Sequence, residues 1–202
     1  VEYSKNKRMS ITGIAIAEYF ADQGCDVTIL TSSPDLVTPR CGLTIMPFNT
    51  YDDLFRSMGQ LIQLLPFGVV IHSAAVSDYR VGGMYQQIGD KMVGLGPSGK
   101  ISSDHLELWM KLVPTMKIID QIRRPWGFEG ILVKFKLQVG MDDETLIKVA
   151  TQSMKHSKAD FIVANTLEGL TKKAFIISTK DKIPICVSRE ELPAILYKEV
   201  GL

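Results

Sequence analysis

Hydrophobic patterns of helical and of strand type alternate along most of this 202-residue chain. Apolar residues at helical spacing predict helices over residues 11–23, 52–65, 115–122, 143–158 and 189–200. Short apolar runs bounded by turn residues predict strands over residues 26–31, 43–47, 69–73, 131–137 and 161–164. Strands that alternate with helices are typical of a parallel sheet covered by helices.

Near the C-terminus, residues 173–178 and 182–187 predict a pair of antiparallel strands. The predicted fold class is therefore α/β, a doubly wound, Rossmann-like and mostly parallel sheet flanked by helices, with an antiparallel edge near the C-terminus. Because no stretch has the composition of a linker, we expect residues 1–202 to form a single domain.

Two segments depart from this alternation. Residues 81–99 are rich in glycine and show no clear period, which predicts a long loop that is functional or mobile. Residues 106–112 are compatible with a strand or with a helical turn.

Composition and charge argue against several classes of protein. A formal net charge of +1 gives no overall field that would attract nucleic acid or an anionic membrane. The chain has no run of about 18 apolar residues, and its start, VEYSKNKRMS, lacks the apolar stretch of a secretory signal. Cys25, Cys41 and Cys186 are too scattered for a metal site or a disulfide framework. We therefore expect a cytoplasmic protein that binds neither nucleic acid nor a membrane.

The segment VVIHSAAVSDYR, residues 69–80, carries the strongest chemical signal. An apolar run that ends at His72 is followed by three small residues, Ser73, Ala74 and Ala75. Ligands of parallel sheets bind beyond the carboxyl ends of the strands, where small side chains admit a ligand close to the backbone. Asp78 could then bind a ribose, a base or a metal. An ordinary strand end, followed by a helix that Ser77 or Asp78 caps, stays open as the alternative.

Further motifs follow this segment in order. KISS begins at Lys100, LELWMKLVP ends at Pro114, and VKFKL and ADFIVAN occupy residues 133–137 and 159–165. In this order and at these intervals, residues 69–165 resemble the phosphopantothenate–cysteine ligase family of coenzyme A biosynthesis, in its stand-alone form.

The resemblance implies that 4′-phosphopantothenate is joined to L-cysteine in two steps. A nucleoside triphosphate, CTP in preference to ATP and accompanied by Mg²⁺, would activate the carboxylate as an acyl-nucleotidylate. The amine of cysteine would then attack, which forms the amide and releases the nucleoside monophosphate. The resemblance also implies a homodimer.

The resemblance assigns roles to residues at matching positions. Lys100 would stabilise charge on the phosphates, and Asn6 would bind the acyl intermediate. The implied nucleotide-binding residues are His72, Ser73, Ala74, Ala75, Asp78, Lys100, Pro114, Thr115, Met116, Lys117 and Phe135. No side chain is assigned to a metal. Taken without the resemblance, Phe135 fits a core position better than a contact with a base.

The N-terminal region departs from the family pattern in two ways. In the loop from Asn6 to Gly13, either Met9 or Ser10 stands where family members have an inner glycine. Family members also begin with a strand and a Gly-Gly-Thr turn ahead of this loop, and we expect that strand to precede Val1.

Two other functions remain open. One is an NAD(P)-dependent reductase on a Rossmann sheet, which a G-x-G-x-x-G turn would favour, although the sequence shows none. The other is a non-catalytic nucleotide- or flavin-binding module of the same fold, which the altered loop before Gly13 would favour.

Overall fold

The structure of the protein is a computed structural model that describes residues 7–96, 102–169, 172–181 and 183–202. Its helices are α1 (Lys7–Asp22), α2 (Tyr51–Leu64), α3 (Ile118–Arg123), α4 (Asp143–Ser157) and α5 (Leu192–Glu199). Its strands are β1 (Val27–Thr31), β2 (Leu43–Pro47), β3 (Val69–His72), β4 (Tyr79–Ile88), β5 (Lys91–Leu95), β6 (Trp109–Pro114), β7 (Ile131–Gln138), β8 (Phe161–Thr166), β9 (Ala174–Ser178) and β10 (Ile185–Val187). None of the described helices is long and apolar enough to cross a membrane.

The described residues group into two compact units. The larger unit comprises the described parts of Val1–Ala75 and Ile118–Leu202, and the smaller unit comprises those of Val76–Lys117. The main sheet of the larger unit has the order β10-β9-β8-β7-β3. Strands β3, β7 and β8 are parallel, β9 and β10 are antiparallel, and β1 pairs in parallel with β2. The predicted fold class, including its antiparallel C-terminal edge, is confirmed.

The central strands of this sheet are buried on both faces. Leu132 and Val133 of β7 and Ile162 of β8 each have 0% of their surface exposed, which explains why these strands are almost continuous apolar runs. On one face, Val133 packs in a cluster with α1 and α5. On the opposite face, the Lys134 Nζ donates to the backbone oxygen of Ser153 in α4 at 3.2 Å.

Local capping explains why two helices begin where the sequence pattern places them. The side chain of Thr50 accepts from the Asp53 amide, and the Asp53 carboxylate accepts from the Thr50 amide, a capping box that starts α2. The Asp142 carboxylate accepts from the Thr145 amide at the start of α4. These side chains satisfy donors that a helix leaves unpaired in its first turn.

The smaller unit contains an antiparallel sheet in the order β5-β4-β6. The predicted long loop over residues 81–99 is wrong, because most of this segment forms β4 and β5; residues 97–99 lie outside the described part. A two-residue Gly89–Asp90 turn joins the strands, and Gly89 has a φ of 58°, which glycine adopts without steric cost. The strands were missed because β4 and β5 carry exposed apolar residues. Their sequences therefore lack the alternation of apolar and polar residues that normally marks a half-buried strand.

The segment that follows also differs from its prediction. Residues 109–114 form β6, so the strand alternative for residues 106–112 is the closer one. The predicted helix over residues 115–122 is present as α3, but its predicted start is wrong, because Pro114 ends β6 and α3 begins at Ile118. Pro114 was interpreted as a helix start, but Pro is equally acceptable at the end of an edge strand.

Candidate functional site

A cavity of about 550 Å³ in the larger unit is lined by every residue of β1 and β3 and by residues of α1 and α2. Its volume lies in the range of small-molecule pockets, about 300–1,000 Å³. Polar residues line it where the two strands end, namely Thr31, Ser32, His72 and Ser73. The carboxyl ends of parallel strands are the usual ligand site of such sheets, so this end of the cavity is the candidate site.

Helix α1 approaches the chain beyond β3 at Gly13. A Cβ atom on Gly13 would lie 2.6 Å from the Oγ of Ser73, so a larger residue would force this contact apart. The contact brings Ser73 beside α1, and Ala74 and Ala75 continue along the cavity lining. The sequence prediction did not include Gly13 as a site residue. The sequence did contain a signal for Gly13, because it is a glycine inside a helical pattern. Glycine there costs about 1 kcal/mol relative to alanine, so its presence indicates that a neighbouring group packs closely against the helix.

His72, the last residue of β3, is held in its neutral form. Burial and, to a smaller extent, the positive charge of Lys134 on the neighbouring strand together lower the pKa of His72 from 6.5 to about 4. At neutral pH the imidazole therefore carries one N–H donor and one acceptor nitrogen. It can bind a polar ligand group without adding a charge.

The depressed pKa of His72 predicts a loss of stability in acid. Above pH 6.5 the side chain is neutral in the folded and the unfolded states, so it contributes no pH dependence. Between pH 6.5 and about 4 only the unfolded state binds the proton, so the free energy of unfolding should fall by up to about 3 kcal/mol. Urea denaturation at a series of pH values in this window measures the effect.

Two variants isolate the contribution of His72. His72→Gln should flatten the pH dependence between pH 6.5 and 4, because glutamine does not titrate. The matched control is His156→Gln, since the His156 side chain is 76% exposed and its loss should leave the profile unchanged. Equal profiles for the parent protein and His72→Gln would contradict a buried neutral imidazole.

The structure does not bring His72 and Phe135 to the same face of the sheet. His72 is the register partner of Lys134, whose side chain points to α4. Phe135 is the next residue, and it packs against the hydrophobic cluster on the opposite face, with Ile71 and Val133. Phe135 is therefore placed in packing contact with the core, and its role at a nucleotide stays a prediction.

In the smaller unit, the structure does bring Asp78 together with Pro114 and Thr115. Tyr79 pairs with Pro114 across β4 and β6. The Thr115 amide donates to the Asp78 carbonyl at 2.9 Å, and the Thr115 hydroxyl donates to the Ser77 carbonyl at 2.5 Å. The Thr115 amide is therefore hydrogen-bonded within the protein. At the start of a helix the same amide would have been free to bind a ligand.

The carboxylate of Asp78 is exposed and has no hydrogen-bond partner among the described residues. The alternative of a helix capped by Ser77 or Asp78 is wrong, because strand β4 begins at Tyr79. Met116 and Lys117 are exposed in the connection that follows β6.

Two predicted catalytic residues, Asn6 and Lys100, lie outside the described residues. Within the described ranges, no group of three or more His, Cys, Asp or Glu side chains is arranged to bind a metal ion.

The profile of the DNA/pantothenate metabolism flavoprotein C-terminal domain matches residues 1–196. The chain belongs to this family. The resemblance stated from the sequence motifs is thereby confirmed.

Individual members of the family show how far the likeness extends. The chain is 28% identical to the coenzyme A biosynthesis bifunctional protein of Thermococcus kodakarensis, over 99% of this chain and 47% of that protein. It is 27% identical to the human phosphopantothenate–cysteine ligase, over 70% of this chain and 42% of that enzyme. The chain thus spans less than half the length of these relatives.

A solved structure of the family shares the fold. The crystal structure of the DNA/pantothenate metabolism flavoprotein from Streptococcus pneumoniae superposes with a TM-score of 0.78 at 26% identity, covering 94% of this chain and 86% of that one. The α/β architecture described above is therefore that of the DNA/pantothenate metabolism flavoprotein C-terminal domain family.

Proposed function

We propose that this domain is a phosphopantothenate–cysteine ligase of coenzyme A biosynthesis. The observation that carries the proposal is the family match over residues 1–196, together with a human relative that bears this activity in its name. The placement of small and uncharged polar residues at the carboxyl ends of β1 and β3 supports it, because a nucleotide can approach the backbone there.

The proposed reaction overcomes the low reactivity of a carboxylate toward an amine. The 4′-phosphopantothenate carboxylate attacks the α-phosphate of CTP, and pyrophosphate leaves with the Mg²⁺ that accompanied the nucleotide. The cysteine amine then attacks the acyl carbon, CMP leaves, and the amine loses its proton. Mg²⁺ enters as part of the substrate, since it is commonly bound through phosphates and water.

Each predicted residue has a part in this proposal. Lys100 stabilises charge on the α-phosphate, and Asn6 binds the acyl intermediate. The backbone around Ser73–Ala75 and the neutral imidazole of His72 contact the nucleotide. The exposed carboxylate of Asp78 accepts from the hydroxyl or amino groups of the nucleotide. Pro114–Lys117 and Phe135 complete the proposed binding residues.

Turnover with defined substrates tests the proposal. The protein with CTP, Mg²⁺ and 4′-phosphopantothenate should release pyrophosphate, and added L-cysteine should give an amide that mass spectrometry detects. ATP should support a lower rate. Asp78→Asn should weaken CTP binding, because an amide replaces an acceptor with a donor, and isothermal calorimetry measures this. Binding of NADPH or FMN, with no pyrophosphate from either nucleotide, would favour the reductase or the non-catalytic module instead.

We further propose that the protein acts as a cytoplasmic homodimer whose contact lies on the smaller unit. The strand register places eight apolar side chains on one face of its sheet: Tyr79, Val81, Met84, Ile88, Val93, Leu95, Met110 and Leu112. We call this set the apolar face. Several members are about half exposed, for example Leu112 at 55%. Large exposed apolar patches are uncommon on monomers and indicate association.

One charge on the apolar face should separate the subunits. We expect Leu112→Lys to sediment as a monomer at concentrations where the parent protein is a dimer, because a lysine would be buried without a partner. The control is Met92→Lys, which places the same charge on the opposite face of the sheet. A dimer that survives Leu112→Lys but is lost in Met92→Lys would assign the contact to the other face.

A further inference from the structure

We propose that a pocket between the C-terminal ends of α3 and α4 is a binding site for phosphate, either the inorganic ion or the phosphate group of a small monoester. This pocket lies in the larger unit and has a volume of about 240 Å³. We call it the α3–α4 pocket. The proposal is independent of the proposed ligase activity. The residues that line the pocket are Asp120, Arg123, Arg124, His156, Ser157 and Lys158.

The first argument is the charge of the lining. Arg123, Arg124 and Lys158 contribute three positive charges. Asp120 contributes the one negative charge among the lining residues, and its Oδ2 lies 3.9 Å from the Nε2 of His156. Cations that line a recess attract anions, because the low-dielectric walls focus their field. The lining therefore favours an anion over a neutral or cationic ligand.

The second argument is that two of these cations have donors available for a ligand. In the part of the chain that the structure describes, the exposed side chains of Arg124 and Lys158 form no hydrogen bond or ion pair. Arg123 differs from them, because its guanidinium donates to the Asp160 carboxylate and to three backbone carbonyls. The pocket thus combines one cation that is held in place with two whose N–H groups can bind an anion.

The third argument is the backbone conformation of Lys158. Its φ is 53°, in the left-handed region that glycine adopts freely and that a residue with a Cβ adopts at a cost. Lys158 directly follows α4, at a position where helices commonly have glycine. It is the one non-glycine residue with a positive φ among those that the structure describes. Residues held in such conformations cluster at ligand sites, so a lysine here indicates a role for its side chain.

The size of the pocket limits what can bind. Its volume of about 240 Å³ lies below the range of about 300–1,000 Å³ that is typical of pockets for drug-sized ligands. A nucleotide would therefore not fit inside it. Guanidinium and ammonium groups are the usual protein partners of phosphate, and a single phosphate can accept from Arg124 and Lys158 together. Phosphate thus fits both the volume and the charge of the pocket.

The α3–α4 pocket and the candidate site lie at opposite edges of the sheet. Arg123 donates to the carbonyl of Gly130, directly before β7, and to the carboxylate of Asp160, directly before β8. The pocket is therefore at the amino ends of these strands, whereas the candidate site is at the carboxyl end of β3, which is parallel to them. The eight residues of β7 span about 25 Å. A phosphate in the pocket would not contact a ligand at the candidate site.

A phosphate titration followed by NMR tests the site. Inorganic phosphate is added at constant ionic strength, with chloride as the balancing anion. We expect saturable shifts of the Arg124 Nε–H signal and of the Lys158 backbone amide, and no shift of the β8 amides. Glycerol 3-phosphate in a second titration shows whether the site also accepts a monoester. Acetate should bind about tenfold more weakly or less tightly still, because it carries a single charge.

Substitution of the two available cations locates the anion. Arg124→Gln should weaken phosphate binding by about tenfold or more, because it removes a charge-assisted hydrogen bond. Lys158→Gly should weaken binding to a similar extent, yet raise the Tm measured in chloride by about 1–4 °C, because glycine adopts a positive φ without a steric cost. The control is Lys155→Gln, at an exposed position of the same helix that does not line the pocket. Its phosphate affinity should equal that of the parent protein.

Three results would overturn the proposal. The first is parental phosphate affinity in Arg124→Gln and Lys158→Gly, and the second is an equal loss of affinity in Lys155→Gln. The third is acetate that binds as tightly as phosphate. The opposite changes expected for Lys158→Gly separate binding from a structural role. A lysine that only stabilised the negative end of α4 would lower the Tm when removed and would leave phosphate binding unchanged.

Discussion

Replacement of Lys100 by glutamine should lower ligase turnover by about a hundredfold or more without unfolding the protein. The reason is the charge that develops on the α-phosphate as the carboxylate attacks, for which glutamine offers a dipole in place of an ammonium. Loss of one such electrostatic contact in the transition state typically costs about 2.7–4 kcal/mol. The initial rate of pyrophosphate release at saturating CTP and 4′-phosphopantothenate measures this loss.

A surface lysine of the smaller unit provides the control. Lys111→Gln makes the same change at an exposed position in β6, on the opposite face of the sheet from the apolar face, and its turnover should equal that of the parent protein. The melting temperature of Lys111→Gln should match the parent within about a degree, since exposed substitutions rarely change stability by more than about 0.5 kcal/mol, and we expect Lys100→Gln to melt at the same temperature. A Lys100→Gln protein that releases pyrophosphate at the parental rate would remove Lys100 from the proposed mechanism.

Replacement of Arg123 by methionine should produce the largest loss of stability. The guanidinium is only 17% exposed and donates to the Asp160 carboxylate at 2.6 Å. It also donates to three backbone carbonyls, those of Lys158, Phe128 and Gly130. Methionine preserves most of the apolar stem but leaves these acceptors without their donor. We expect the free energy of unfolding to fall by about 4 kcal/mol.

Urea denaturation and thermal melting report this effect directly. For a protein of this size, a loss of about 4 kcal/mol corresponds to a fall in Tm of roughly 10 °C. The neighbouring Arg124 is exposed, so Arg124→Met should shift the Tm by no more than about 1–2 °C. If the two variants melt together, the Arg123 network contributes no more than a solvated surface charge.

The sequence correctly predicted the helices and strands whose pattern of apolar residues matches the faces that are buried in the structure. The apolar runs of β7 and β8 predicted strands because both faces of these strands are buried. α2 and α4 were predicted from their periodic apolar patterns, and the structure shows that Thr50 and Asp142 cap them where those patterns begin. In these segments, composition, capping and packing favour the same structure.

The hairpin of β4 and β5 was missed because its signals conflict. Glycines are depleted in strands, yet here the Tyr85 ring lies against Gly83, where a Cβ would come within 3.1 Å of it. Gly83 and Tyr85 lie in the same strand, and a glycine that is covered by an aromatic ring is not recognised by a search for alternating apolar and polar residues. The Gly89–Asp90 pair was the available signal, since a two-residue turn of this type indicates a hairpin.

The candidate site was only partly accessible from sequence. Ser73, Ala74 and Ala75 follow a clear strand, so their position beyond its carboxyl end could be predicted. The approach of Gly13 to Ser73 depends on how α1 crosses the sheet, and the separation of His72 from Phe135 depends on strand register. Both are long-range properties that a local pattern does not encode.

The position of the smaller unit in the chain has a consequence for biosynthesis. Val76–Lys117 interrupts the polypeptide between β3 and β7, which are neighbours in the main sheet. The β4–β5 hairpin closes locally, and isolated hairpins form in about 1–10 μs. Pairing of β3 with β7 must wait until the ribosome has delivered the intervening residues, at about 5–20 residues per second. The hairpin can thus form during translation, while β3 still lacks the strand beside which it will lie.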